Sequence, residues 1–191
     1  GSHGPGPGEC NNRSAVCGPA GIGRTNQYNL RGTRRIRDDD KGASSYQYDN
    51  RWRAMCADGR ELPKHIDGEV EVGGEAREQR FLGYSVARWV DDYTLEVQTV
   101  GMMPEDRVWL DATGRPISDQ IRVTERLRRV DYDTIEWSET IDDPKIYTKP
   151  WETMRFTMRL HDPRTDIMEY YCSPVEQQNY NKFFGNGATG K

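Results

Sequence analysis

Apolar and polar residues alternate along much of the chain, and the densest stretch of alternation runs from Ile121 to Leu160. Ile121, Val123 and Leu127 share one parity, against Arg122, Thr124, Arg126 and Arg128 on the other. Ile135, Trp137 and Ile141 alternate with Glu136, Ser138 and Thr140. Met154, Phe156, Met158 and Leu160 then alternate with Arg155, Thr157 and Arg159. A period of two marks a strand with one dry and one wet face, so this region predicts three strands of an antiparallel meander. Upstream, strands are expected over 45–49, 51–57, 83–90 and 94–100. Trp52, Ala54 and Cys56 share one face of the second of these, and Tyr84, Val86, Trp89, Leu95 and Val97 supply apolar side chains to the last two. Asp58-Gly59 and Asp91-Asp92 read as turns. A long loop carries Met102, Trp109, Leu110 and Asp111, and a last strand is expected over 167–172. Shorter features are a strand near Tyr28 to Leu30 and a helix over 75–80. The expected fold is all-β, a meander of eight or nine strands closed as a barrel or packed as a sandwich.

The ends of the chain do not follow the pattern. Residues 1–43 are dominated by Gly, Pro, Asn and Arg and read as an extended arm, in which Arg37 to Lys41 is a charged turn or loop. Residues 44–172 hold the strands, and 173–191 form a polar, tyrosine-rich tail. The Gly4-Pro5-Gly6-Pro7-Gly8 run has no side chains to bury, which makes it flexible in isolation.

Composition narrows the class. Only 34% of residues are hydrophobic, so the core is small for 191 residues. The net charge of −4 argues against nucleic acid as a partner, which calls for a basic excess. No apolar run approaches the ~20 residues that span a bilayer. Four cysteines, Cys10, Cys17, Cys56 and Cys172, are an even number without a C-x-x-C pair. That spacing favours disulfides over zinc, leaves three connectivities open, and points to an exported protein, extracellular or periplasmic. Asn12-Arg13-Ser14 fits the glycosylation sequon.

Two acids stand out. Glu125 and Glu139 each fall on the apolar parity of a strand, and a carboxylate on a dry face needs a partner or a raised pKa. A structural salt bridge to an inward arginine, or a strand that leaves the core at that point, is the favoured explanation. Two such groups in one barrel cavity could instead serve as general acid and base. No nucleophile elbow frames Ser118, no phosphate-binding loop is present, and no cofactor motif appears. Asp38-Asp39-Asp40 lacks calcium-loop spacing. The five tryptophans read as core anchors, with Trp109 the one placed on a loop where it could stack on a ligand.

The segment from Gly83 to Cys172 resembles a large family of uncharacterised exported bacterial proteins. The matching pieces are Trp109-Leu110-Asp111 with Gly114 and Pro116, Thr124-Glu125-Arg126 with Arg128-Arg129-Val130-Asp131, and Thr140 to Lys145. Tyr147 to Trp151, and Glu169-Tyr170 with Cys172, complete the pattern. The resemblance implies export and a β-rich fold. It also implies a Cys17–Cys172 disulfide, which leaves Cys10 with Cys56; a small Cys10–Cys17 loop is the competing pairing. Relatives carry histidines where this chain has Leu62 and Ile117, so no histidine-dependent chemistry carries over. The chain therefore reads as a secreted, non-catalytic structural protein that self-associates through its terminal arms, an extracellular filament subunit being the sharpest form of that reading. The alternative is an exported enzyme or ligand-binding β-barrel that uses Glu125 or Glu139.

Overall fold

The computed structural model describes residues 22, 34–39, 42–47, 52–63, 66, 79–103, 108–111 and 114–166. Among these the protein is all-β. Nine strands form one sheet: β1 (Arg34–Asp39), β2 (Gly42–Gln47), β3 (Trp52–Cys56), β4 (Tyr84–Asp91), β5 (Thr94–Val100), β6 (Arg122–Arg129), β7 (Thr134–Asp142), β8 (Trp151–Glu152) and β9 (Phe156–Arg159). Neighbours in sequence are neighbours in the sheet from β1 to β8, and β9 also pairs with β7. Every pairing is antiparallel except that of β3 with β4, which is parallel and rests on the single register Cys56↔Val86. No pairing among the described strands joins β1 to β8 or β9, so the sheet is open and the expected barrel closure is not made. A sandwich or an open, folded sheet is what remains of that expectation.

The meander forms as its alternation dictates. Leu95, Leu127, Trp137 and Phe156 line up across β5, β6, β7 and β9. Thr99, Val123, Ile141 and Trp151 line up in the same way nearer the other end. The first row belongs to an apolar cluster with Met55, Ala87 and Val97. Val123 and Ile141 of the second belong to another cluster, with Met102, Val108, Leu110, Ile117 and Ile121 from the long loop. Ile22, from the stretch read as an arm, is buried in that second cluster.

Three features depart from the alternation. On β3 the inward parity is that of Arg53 and Met55, while Ala54 is exposed. On β4 the buried residues are Ser85 and Ala87, whereas Trp89 is 58% exposed at the strand's end. The third strand of the meander is split. Trp151 pairs with Ile141 and Glu152 with Thr140, but Phe156 pairs with Trp137, so one extra residue lies between β8 and β9. Thr153 N donates to Glu139 O at 2.8 Å, which leaves Met154 and Arg155 together opposite Ser138. This is a β-bulge, and it reverses the parity of all that follows. Phe156 is thereby buried and Met154, expected in the core, is exposed; Leu160, also expected in the core, keeps the parity of Phe156 but lies just past the end of β9 and is exposed.

Arg37, Asp38 and Asp39, read from the sequence as a turn, lie within β1, and its hairpin partner β2 begins at Gly42, before the expected start. Asp40, the strands expected near 28–30 and over 167–172, and the tail 173–191 lie outside the described residues. No described helix is long and apolar enough to cross a membrane.

Candidate functional site

Between the two apolar rows of the sheet runs a polar one. Val97, Glu125 and Glu139 lie directly opposite one another on β5, β6 and β7, and Thr153 continues the row. Both glutamates are 0% exposed. The sheet itself puts them there, because each is flanked along its strand by residues of the same parity that must be buried. Like charges directly opposite on a sheet repel, and a buried carboxylate is costly unless paired.

Arg53 supplies the pairing for Glu125. Its Nη1 donates to Glu125 Oε1 at 3.0 Å and its Nη2 to Oε2 at 2.5 Å, a two-pronged ion pair. The same guanidinium donates from Nε to Ser85 Oγ at 2.9 Å and from Nη2 to Thr99 Oγ1 at 2.7 Å. Those two hydroxyls also lie within 2.9 Å of each other. One arginine on β3 thus reaches acceptors on β4, β5 and β6. The planar fork of arginine suits this, since it holds a carboxylate bidentately and keeps donors for other acceptors. The inward arginine is a partner that sequence reasoning named as a type without locating. The strand pattern hid it, because Trp52, Ala54 and Cys56 mark the other parity as the apolar one and assign Arg53 to solvent.

A third buried glutamate lies on the opposite face of the sheet. Glu96 accepts from Arg88 Nη2 at 2.5 Å and from Arg126 Nη2 at 2.9 Å. Burial pushes its pKa up, but the bonds and charges of Arg88 and Arg126 outweigh that and hold it below the usual carboxylate range.

The stretches 115–119 and 143–151 meet in space. Asp143 accepts from both Ser118 N and Ser118 Oγ at 2.6 Å, and Lys145 Nζ donates to Asp119 at 2.7 Å. Tyr147 Oη donates to Pro116 O at 3.0 Å, and Arg115 lies 5.9 Å from the Trp151 ring centre. The loop before β6 and the loop after β7 are therefore clasped together. Ser118 is a clasp residue here. Trp109 is half-buried on its loop beside Gly114.

Next to this clasp a pocket of about 350 Å³ opens where β5 ends, β6 begins and β7 ends. Ile66, Val100, Ile121 and Pro144 give it apolar walls, and Asp119, Arg122 and Asp142 give it charge. Gly101, also in the wall, has φ +70°, and a Cβ there would fall 2.6 Å from Ile66 Cδ1. Neither Glu125 nor Glu139 lines this pocket. Among the described residues no group of three or more His, Cys, Asp and Glu side chains is placed to hold a metal ion. Cys56 has a free thiol, so a bond from it to Cys10 is not formed in this structure; Cys10, Cys17, Cys172 and Asn12 lie outside the described residues.

No family model, no curated protein and no solved structure matches this chain.

Proposed function

We propose that this chain is an exported, non-catalytic structural protein whose copies associate through their terminal arms, with an extracellular filament as the assembled form. The observation that carries the reading is the fate of the two acids best suited to chemistry. Glu125 and Glu139 are fully buried, and Glu125 directs both carboxylate oxygens to Arg53. A general acid or base must come within hydrogen-bond reach of its substrate, and these side chains face packed protein. Export is supported by the resemblance carried by the segment from Gly83 to Cys172. Association through extended arms is supported by the Gly/Pro-rich start of the chain, which can lie along a neighbour's sheet edge as an added strand.

The test is deletion of residues 1–16 from the chain, followed by sedimentation velocity and negative-stain electron microscopy beside the intact protein. The intact chain is expected to form polymers with a regular repeat. The truncated chain should be folded, by circular dichroism, and monomeric. A truncated chain that still polymerises removes the arm from the account, and an intact chain that stays monomeric removes the whole reading.

A further inference from the structure

Strands β1, β2 and β3 form a unit that is well paired within itself and sparsely joined to the rest. β1 pairs with β2, and β2 with β3, along nearly their whole length. β3 meets β4 at Cys56↔Val86 alone. The described side chains that carry this seam come from the end of the unit. Arg53 donates to Ser85, Thr99 and Glu125, Met55 is buried against Ala87, Val97 and Leu127, and Ala57 packs on the same cluster. The chain leaves the seam through a bend at Asp58-Gly59. Gly59 has φ +82°, and a Cβ there meets nothing within 4 Å, so the bend lies clear of the packing. Arg60 closes it locally, donating from Nε to Asp58 Oδ1 at 2.8 Å and from Nη2 to Oδ2 at 2.5 Å. The next buried residue described is Ile66, in the wall of the pocket.

We propose that the β1–β3 unit is exchanged between copies of this chain: the unit of one copy seats on β4–β6 of a second, with its Arg53 on the second copy's Glu125. The inference rests on the self-association proposed above and names the segment that enters the neighbour. The seat itself selects this occupant. Glu125 is 0% exposed and takes both prongs of a guanidinium, while Ser85 and Thr99 accept from the same fork. A buried carboxylate is costly without such a partner, so whatever fills the seat must bring an arginine and, two residues on, a side chain like Met55. β3 brings both, from its own chain or from another copy. Exchange keeps every contact of the seat and changes only the bend at Asp58-Gly59, which is why swapping an identical element is a low-cost route to assembly. The link is long enough. Residues 57–65 reach roughly 30 Å when extended, about the width of a small domain. The terminal arm runs directly into β1, so an arm drawn onto a neighbour carries the unit toward it. Units passed on from copy to copy make a head-to-tail filament, and two copies that exchange mutually make a dimer.

The experiment uses the full chain in two forms, Arg53→Met and Glu125→Leu, one of them labelled with nitrogen-15. Alone, each form is mismatched: the first leaves Glu125 without its arginine, and the second leaves Arg53 without its carboxylate. The two are mixed in urea at equal concentration, refolded together, and read by native mass spectrometry and urea denaturation. Mutual exchange restores the Arg53–Glu125 pair in one seat and brings the two apolar replacements together in the other. Mixed dimers should therefore exceed like dimers at least tenfold, and the mixture should unfold at higher urea than either form alone. Mixed dimers at only their statistical share, with no gain in urea resistance, overturn the exchange while leaving self-association through the arms standing. Gly59→Val, in the otherwise unaltered chain, tests the bend separately. A β-branched residue disfavours the positive φ of the closed bend and not the extended link, so association in sedimentation velocity should strengthen at least tenfold. Association that is unchanged or weaker also overturns the exchange. An unaltered chain that never associates overturns both the exchange and the reading it rests on.

Discussion

Arg53 on β3 and Glu125 on β6 are joined by two hydrogen bonds that span the two strands between them in the sheet. The bond matters because the backbone pairing of β3 with β4 rests on a single parallel register, which leaves side chains such as Arg53 and Met55 to hold β1–β2–β3 to the rest of the sheet. Removing the arginine breaks a buried ion pair from one side, which typically destabilises by about 3–5 kcal/mol. Arg53→Met should therefore be strongly destabilised in urea denaturation. Adding Glu125→Leu should recover much of the loss, since a buried ion pair can often be replaced by apolar residues. Hydrogen exchange in Arg53→Met should quicken in β1–β3 before β5–β7. A single variant that loses under about 1 kcal/mol would show that the pair does not fasten the sheet.

The bulge makes an unusual forecast about deletions. Without Met154, Thr153 would still face Glu139, Arg155 would face Ser138, and Phe156 would still face Trp137. The split strand would become continuous with its inward residues unchanged, so deleting Met154 should alter stability by no more than about 1 kcal/mol, the size of a local adjustment. Deleting Met154 and Arg155 together shifts the register by one and turns Phe156 and Met158 outward. Phe156 loses roughly 1.5–3 kcal/mol of burial, and half-buried Met158 a smaller amount. Thermal melts of the two deletions should differ sharply, and similar melts would mean that the bulge is not where the register places it.

These two features show what the sequence could and could not reveal. The strands β5, β6 and β7 were legible because their apolar parity runs the length of each, and Glu125 and Glu139 were visible as the breaks in it. The identity of the partner was not, because Arg53 lies 72 positions from Glu125 and Trp52, Ala54 and Cys56 mark the opposite parity of its strand as the apolar one. The bulge was invisible for a different reason. Met154, Phe156, Met158 and Leu160 alternate perfectly as written, and only the pairing with β7 shows that an extra residue puts Met154 outside. The clasp of Ser118 on Asp143, and the pocket beside it, depend on two loops meeting, which no local pattern encodes.

Glu96 makes stability depend on pH. Burial raises its pKa, but the two arginines hold it below its ordinary value of 4.5 in the folded protein. A carboxyl depressed on folding contributes stability that is complete above the unfolded pKa and lost as pH falls through the folded one. Unfolding free energy should thus decline as the solution is acidified below about pH 4.5. Arg126→Ala removes one of the two opposing charges and should move the Glu96 carboxyl resonance to titrate at higher pH, measured by NMR. No movement would mean that Arg88 alone sets the ionisation.

Gly101 and Gly59 separate the two reasons a glycine can be required. Both have positive φ, +70° and +82°, but a Cβ at Gly59 meets nothing within 4 Å. Gly59→Ala should therefore suffer only the left-handed backbone penalty, roughly 1–2 kcal/mol. Gly101→Ala carries the same penalty and also drives its methyl into Ile66, whose Cδ1 would be 2.6 Å away. Ile66 is a fully buried wall of the pocket, so it cannot move aside without opening a gap in the packing. Gly101→Ala should lose clearly more stability than Gly59→Ala in parallel urea titrations. The double variant Gly101→Ala/Ile66→Val, which shortens the clashing branch, should relieve part of the difference. Equal losses at the two glycines would mean that the backbone around Gly101 can shift, and that the pocket wall is softer than its packing implies.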